Sequence, residues 1–80
     1  MFIQVIEGRV TDADAIRAAL DQWVAEQSGN ASGWLGTTAG TTDDGRFVAL
    51  VRFESEDDAR RNSERPEQGQ WWAETSKLFS

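Results

Sequence analysis

The chain contains neither cysteine nor histidine, and these two absences remove most catalytic constellations at once. A Ser-His-Asp triad, a cysteine nucleophile, a zinc site of nitrogen and sulfur ligands and a histidine-ligated haem each need a missing residue. No disulfide can form, which suits a reducing compartment without requiring one. Basic residues are scarce as well: 8 Lys and Arg stand against 14 Asp and Glu, for a net charge of −6. The few arginines sit among acids, Arg60 and Arg61 after Asp57 and Asp58, and Arg65 between Glu64 and Glu67. Phosphate backbones are repelled by such a surface, so nucleic acid is not an expected partner. No apolar run approaches the length of a bilayer span. Met1 to Gly8 has no basic n-region and carries Glu7 where a signal peptide stays apolar, so the expected location is cytoplasmic, away from membranes.

What is present suits a small packed domain. A chain of 80 residues predicts one domain, 1–80, of the size that buries only about 60% of its unfolded surface. Its 4 Trp and 4 Phe supply the large apolar groups that close a core without cross-links.

Phe2 to Ile6 is apolar except for Gln4, which predicts a strand over about 2–9. Thr11 then opens a helix over about 12–27, with Asp12 and Asp14 in its first turn and Ile16, Leu20, Trp23 and Val24 on one face. Gly29 and Gly33 end it. Residues 34–42 and 46–54 form a hairpin around Asp43-Asp44-Gly45. In the second of these strands Phe47, Ala49, Val51 and Phe53 alternate with Val48, Leu50, Arg52 and Glu54. Ser55 caps a further helix through about Asn62, and Pro66 bends it before it resumes with Trp71, Trp72, Thr75, Leu78 and Phe79.

The order β-α-β-β-α predicts a ferredoxin-like α+β fold, an antiparallel sheet with both helices on one face. No residues remain after the last helix for its fourth strand, unless residues 34–42 split into two short strands and fill the place themselves. The sequence therefore reads as a fragment or shortened relative, with a three-stranded sheet whose vacant edge is partly covered by subunit contacts. Phe47, Ala49, Val51 and Phe53 are expected to face the helices, with Ile3 and Val5 beside them. Phe2, Ile6, Val48 and Leu50 are then left on the open face, with Gln4 and Arg52 as polar neighbours. That much exposed apolar surface predicts a homodimer with its sheets face to face.

Chemistry-bearing motifs are few. Asp43-Asp44 and Asp57-Asp58 are explained as turn and first-turn acids, so no metal site is expected. The segment Gly36-Thr-Thr-Ala-Gly40 lacks the Lys-Ser/Thr of a phosphate loop. Gly45 to Phe53 is similar to the third strand of an RNA-recognition motif, but Val48 and Leu50 stand where its stacking aromatics belong.

A fuller likeness covers nearly the whole chain. The hairpin G-W-L-G-T-T-A-G-T-T-D-D-G-R-F from Gly33, and the run R-F-E-S-E-D-D-A-R-R-N-S-E-R-P-E-Q-G-Q-W-W from Arg52, resemble the dimeric α/β-barrel superfamily. More narrowly, they are similar to actinobacterial proteins related to antibiotic-biosynthesis monooxygenases. The resemblance implies ferredoxin-like subunits whose open sheets meet, with any ligand pocket between sheet and helices. It implies no single activity, because the superfamily holds cofactor-free oxygenases, haem-degrading enzymes and isomerase-like proteins. The haem-degrading branch pairs Asn and Trp with a His that this chain lacks. Asn62, Trp71 and Trp72 become the candidates for lining a pocket, with core or interface packing as the alternative for the two indoles. Two functions follow as expectations. The first is a domain that binds a small, mainly apolar or aromatic molecule or serves as an assembly module. The second is a cofactor-independent monooxygenase acting on an electron-rich aromatic substrate.

Overall fold

A computed structural model describes residues 1–80. Its elements are β1 (Phe2–Arg9), α1 (Ala13–Gln27), β2 (Trp34–Thr41), β3 (Arg46–Phe53), α2 (Glu56–Glu64) and α3 (Pro66–Thr75), with 3-10 turns at Ser28–Asn30 and Ser76–Leu78. The sheet is antiparallel and three-stranded in the order β1-β3-β2. This is the ferredoxin-like α+β arrangement with one strand missing, as the pattern predicts.

Local chemistry accounts for most boundaries. The cap of α1 is Asp12, one residue later than expected: its backbone is extended (φ −137°, ψ 95°) and its carboxylate accepts from the Ala15 amide at 3.1 Å. A carboxylate facing a helix N-terminus is a stronger acceptor than the Thr11 hydroxyl. Ser55 caps α2 as predicted, accepting from the Asp58 amide at 3.2 Å and donating to the Asp58 carboxylate at 3.0 Å. Gly45 takes φ +87° to close the hairpin, where its amide donates to the Thr42 carbonyl. At Pro66 the expected bend is a full break. Arg65 is extended (φ −69°, ψ 135°), the geometry that a following proline favours, and Pro66 starts a separate helix at its first position.

β3 is central, and its inward residues Phe47, Ala49 and Phe53 are 2%, 1% and 0% exposed. They face the helices as the alternation predicts, with Val51 half-buried on the same side. The assignment for β1 is reversed. Phe2, Gln4, Ile6 and Gly8 pair with Phe53, Val51, Ala49 and Phe47, and directly paired residues share a face. Phe2, Gln4 and Ile6 therefore lie on the helix side, not on the open face, while Ile3 and Val5 are 45% and 55% exposed. The physical reason is that β1 is apolar on both faces, so only pairing with β3 sets its register, and a shift of one residue exchanges every side chain.

The end of the chain also departs from expectation. α3 stops at Thr75, and after the 3-10 turn Phe79 is extended and bridges Val10. The Ser80 amide donates to the Arg9 carbonyl at 2.9 Å. One end of the β1 edge is thus covered by the chain's own last residues. The Val10 amide donates the opposite way, to Gly45 at 2.8 Å. By the alternation of an antiparallel ladder, Ile3, Val5 and Glu7 therefore aim their N–H and C=O groups at the unpaired edge.

Candidate functional site

Between the sheet and the helices lies a cavity of about 60 Å³, lined by 16 residues of which 11 are hydrophobic and none is charged. Its aromatic wall is continuous. Trp71 and Trp72, adjacent on α3, have ring centres 6.2 Å apart with planes inclined at 35°, Trp72 meets Phe79 at 5.8 Å, and Phe79 meets Phe47 edge-on at 5.6 Å. The Cδ1–Cε1 edge of the Phe79 ring lies against Gly8, where a Cβ would stand 2.5 Å from Cδ1. Across the cavity Trp23 packs edge-on against Trp34 at 5.2 Å.

Every indole N–H around the cavity but that of Trp72 has a defined partner. Trp71 donates to the Ala19 carbonyl at 3.0 Å, Trp23 to Gln68 Oε1 at 2.6 Å and Trp34 to Thr37 Oγ1 at 3.1 Å. The Trp71 bond ties α3 to α1. Asn62 is buried on α2, and its Oδ1 accepts from Arg65 Nε at 3.2 Å and Nη2 at 2.8 Å. Arg65 Nη2 also donates to Gln27 Oε1 at 3.2 Å, so two buried amides share one guanidinium.

The cavity opens in two directions. One groove of about 560 Å³ runs between α1 and β2, and another of about 640 Å³ runs between α3 and the β1 edge, past Trp72 and Phe79. The one resolved pKa displacement lies elsewhere, at Asp44 in the hairpin, where the Thr42 hydroxyl holds the exposed carboxyl below its ordinary range. No three carboxylates gather closely enough to hold a metal ion, and no helix is long and apolar enough to cross a membrane.

Among solved structures, a protein provisionally named an antibiotic biosynthesis monooxygenase, from Nitrosomonas europaea, superposes with a TM-score of 0.77 at 21% identity. The match covers 98% of this chain and 78% of that one. The shared fold is ferredoxin-like. No protein-family model matches the chain, and no curated protein matches it significantly.

In this ferredoxin-like frame Asn62, Trp71 and Trp72 all reach the one cavity, from α2 and α3. Trp71 is half-buried, and Trp72, at 41% exposure, stands at the mouth beside β1. The residues expected at a subunit contact divide. Val48, Leu50 and Arg52 lie on the open face, whereas Gln4 and Ile6 line the cavity, and Phe2 shares their side. Arg52 lies across β2, donating to Thr38 Oγ1 at 3.0 Å with its guanidinium against Gly36. Sequence reasoning missed Gln4, Gln68, Phe79 and Arg65. Only Gln4, a lone polar residue in an apolar strand, carried a visible signal.

Proposed function

We propose that this ferredoxin-like chain binds one small, mainly apolar or aromatic molecule between its sheet and helices, and that it works as a homodimer through its open sheet face. The observation that carries the first half is the uncharged aromatic cavity, lined by Trp71, Trp72 and Phe79 together with the buried amide of Asn62. Apolar walls with a few placed polar groups are what small-molecule sites share. The 60 Å³ of the cavity itself is below the roughly 300–1,000 Å³ of such sites. The ligand therefore inserts one end past Trp72, and its body lies in the groove along β1 and α3.

A screen of one- and two-ring aromatic compounds by 1H–15N NMR tests this reading. Saturable shifts of the Trp71 and Trp72 indole signals, lost in Asn62→Ala and Trp72→Ala, are the expected result. Shifts confined to the open sheet face, or none at all, would overturn it.

The homodimer rests on Ile3, Val5, Val48 and Leu50, an apolar stripe that no helix covers. Such patches mark association surfaces. Sedimentation should give twice the monomer mass at micromolar concentration.

A second reading is favoured by the name of the structural neighbour together with the Asn-and-Trp lining of the cavity. It makes the chain a cofactor-independent oxygenase, in which an electron-rich aromatic substrate itself reduces oxygen and the pocket only positions and polarises it. Anthrone-type and quinol substrates under oxygen test it. Turnover above the uncatalysed rate, lost in Asn62→Ala, would select this reading over binding alone.

A further inference from the structure

The Pro66 break places Arg65 where it reaches back onto Asn62 and across to Gln27, the last residue of α1. A guanidinium has donors only. Both of its bonds to Asn62 end on the same atom, so chemistry requires that atom to be the amide oxygen. The remaining Asn62 group, an N–H2, has no protein acceptor, and it is not sealed off, because no fully buried side-chain polar atom lacks a partner. Asn62 lines the cavity. Gln68 repeats the logic from another element: the Trp23 indole can only donate, so Gln68 Oε1 is occupied and its N–H2 is left over. Thr37 likewise accepts from Trp34 and keeps its own O–H to donate. Gln4 and Thr75 carry no such commitment, and no charged side chain competes in the cavity.

We infer that Arg65 is a positioning residue that sets the hydrogen-bond polarity of the cavity. It holds Asn62 with its donors free, so the site selects molecules bearing an acceptor oxygen, such as an aryl ketone, over isosteres that lack one. This deepens the cavity-binding reading and rests on it. A ligand without an acceptor leaves the clamped donors unpaired when it excludes water. One well-made neutral hydrogen bond corresponds to a preference of about tenfold.

The test uses two probes of matched shape, 4-fluoroacetophenone and 4-fluoro-α-methylstyrene, titrated into the full chain and followed by 19F NMR. The ketone should bind about tenfold more tightly, and it alone should shift the Asn62 side-chain N–H2 signal. Arg65→Met should bring the ratio of the two affinities close to one, and Arg65→Lys, which still donates to Oδ1, should restore much of it. A merely structural role would weaken both probes together and leave their ratio intact. Asn62→Asp keeps the Arg65 contact while replacing the N–H2 by an acceptor, so it should abolish the ketone preference even if Arg65→Met does not fold. Equal binding of both probes to the wild type overturns the polarity inference and leaves the cavity reading standing. A ratio that survives Arg65→Met overturns the role of Arg65. Absence of saturable binding by either probe overturns the inference and the cavity reading together.

Discussion

Gly8→Ala probes the contact that joins the end of the chain to the cavity wall. A Cβ at this position meets Phe79 Cδ1 at 2.5 Å and Cε1 at 2.8 Å. Relaxed carbon–carbon contact needs about 3.5–4.0 Å, so the ring must retreat by about 1 Å. It has little room to do so, with Phe47 at 5.6 Å and Trp72 at 5.8 Å between ring centres. Overpacking of this kind costs about 1–3 kcal/mol. Against it stands the reduced chain entropy of alanine in a strand, about 0.5–1 kcal/mol. The net expectation is a destabilisation of about 0.5–2 kcal/mol, or a fall in melting temperature of several degrees for a domain of this size. In a Phe79→Ala background the obstruction is gone, and the same Gly8→Ala change should stabilise by about 0.5–1 kcal/mol. Urea melts followed by tryptophan fluorescence measure both legs of the cycle. Effects of the same sign and size in the two backgrounds, within about 0.5 kcal/mol, would refute the contact.

The open face can be tested with Leu50→Asp, which should convert the proposed homodimer to a monomer in sedimentation without unfolding it, because Leu50 is 38% exposed and no helix covers it. Ser55→Ala should cost about 1 kcal/mol in a urea melt through loss of the α2 cap, and Ser55→Thr, whose hydroxyl can still accept from the Asp58 amide and donate to its carboxylate, should recover most of it. At Asp44 the folded carboxyl titrates below its unfolded value, so its contribution is complete above about pH 4 and fades as the pH falls through the lower folded value. The stability difference between wild type and Asp44→Asn should therefore shrink on acidification, and a difference that grows would contradict the Thr42 bond.

How far the fold could be read from the residues depended on contrast between neighbours. β3 alternates large apolar groups with a mixed set, so its buried face was plain. β1 has nearly the same polarity on both sides, and its orientation came only from the partner strand. Ser55 followed by Asp58 marked a helix start unambiguously, but Thr11-Asp12 offered two caps in succession, and backbone geometry chose the second. Pro66 announced an interruption without saying whether the helix would bend or restart. At the cavity, Asn62, Trp71 and Trp72 stood out through one short segment. Their partners did not, because Gln68 meets Trp23 across 45 residues and Trp71 meets Ala19 across 52. No local pattern encodes such distances. Phe79 was misread for a similar reason: its helical spacing suited a stripe that ends before reaching it.

The half-covered edge of β1 makes one wall of the cavity dynamically unlike the others. Gln4 and Ile6 line the cavity from a strand that is paired along its length only with β3, and the backbone on its other side is met only at the far end, by the Phe79 bridge and the Ser80 hydrogen bond. Backbone amides there should exchange with solvent in a two-residue rhythm, fast at Ile3, Val5 and Glu7, which face the edge, and slow at Gln4, Ile6 and Gly8, which face β3. Deuterium exchange resolved by residue would expose that rhythm, and uniform protection along β1 would mean that another segment occupies the edge. A wall fastened on one side can swing outward without unwinding a helix. The breathing of β1, more than any motion of α1, would then set how quickly a molecule enters and leaves, independently of how tightly it is held.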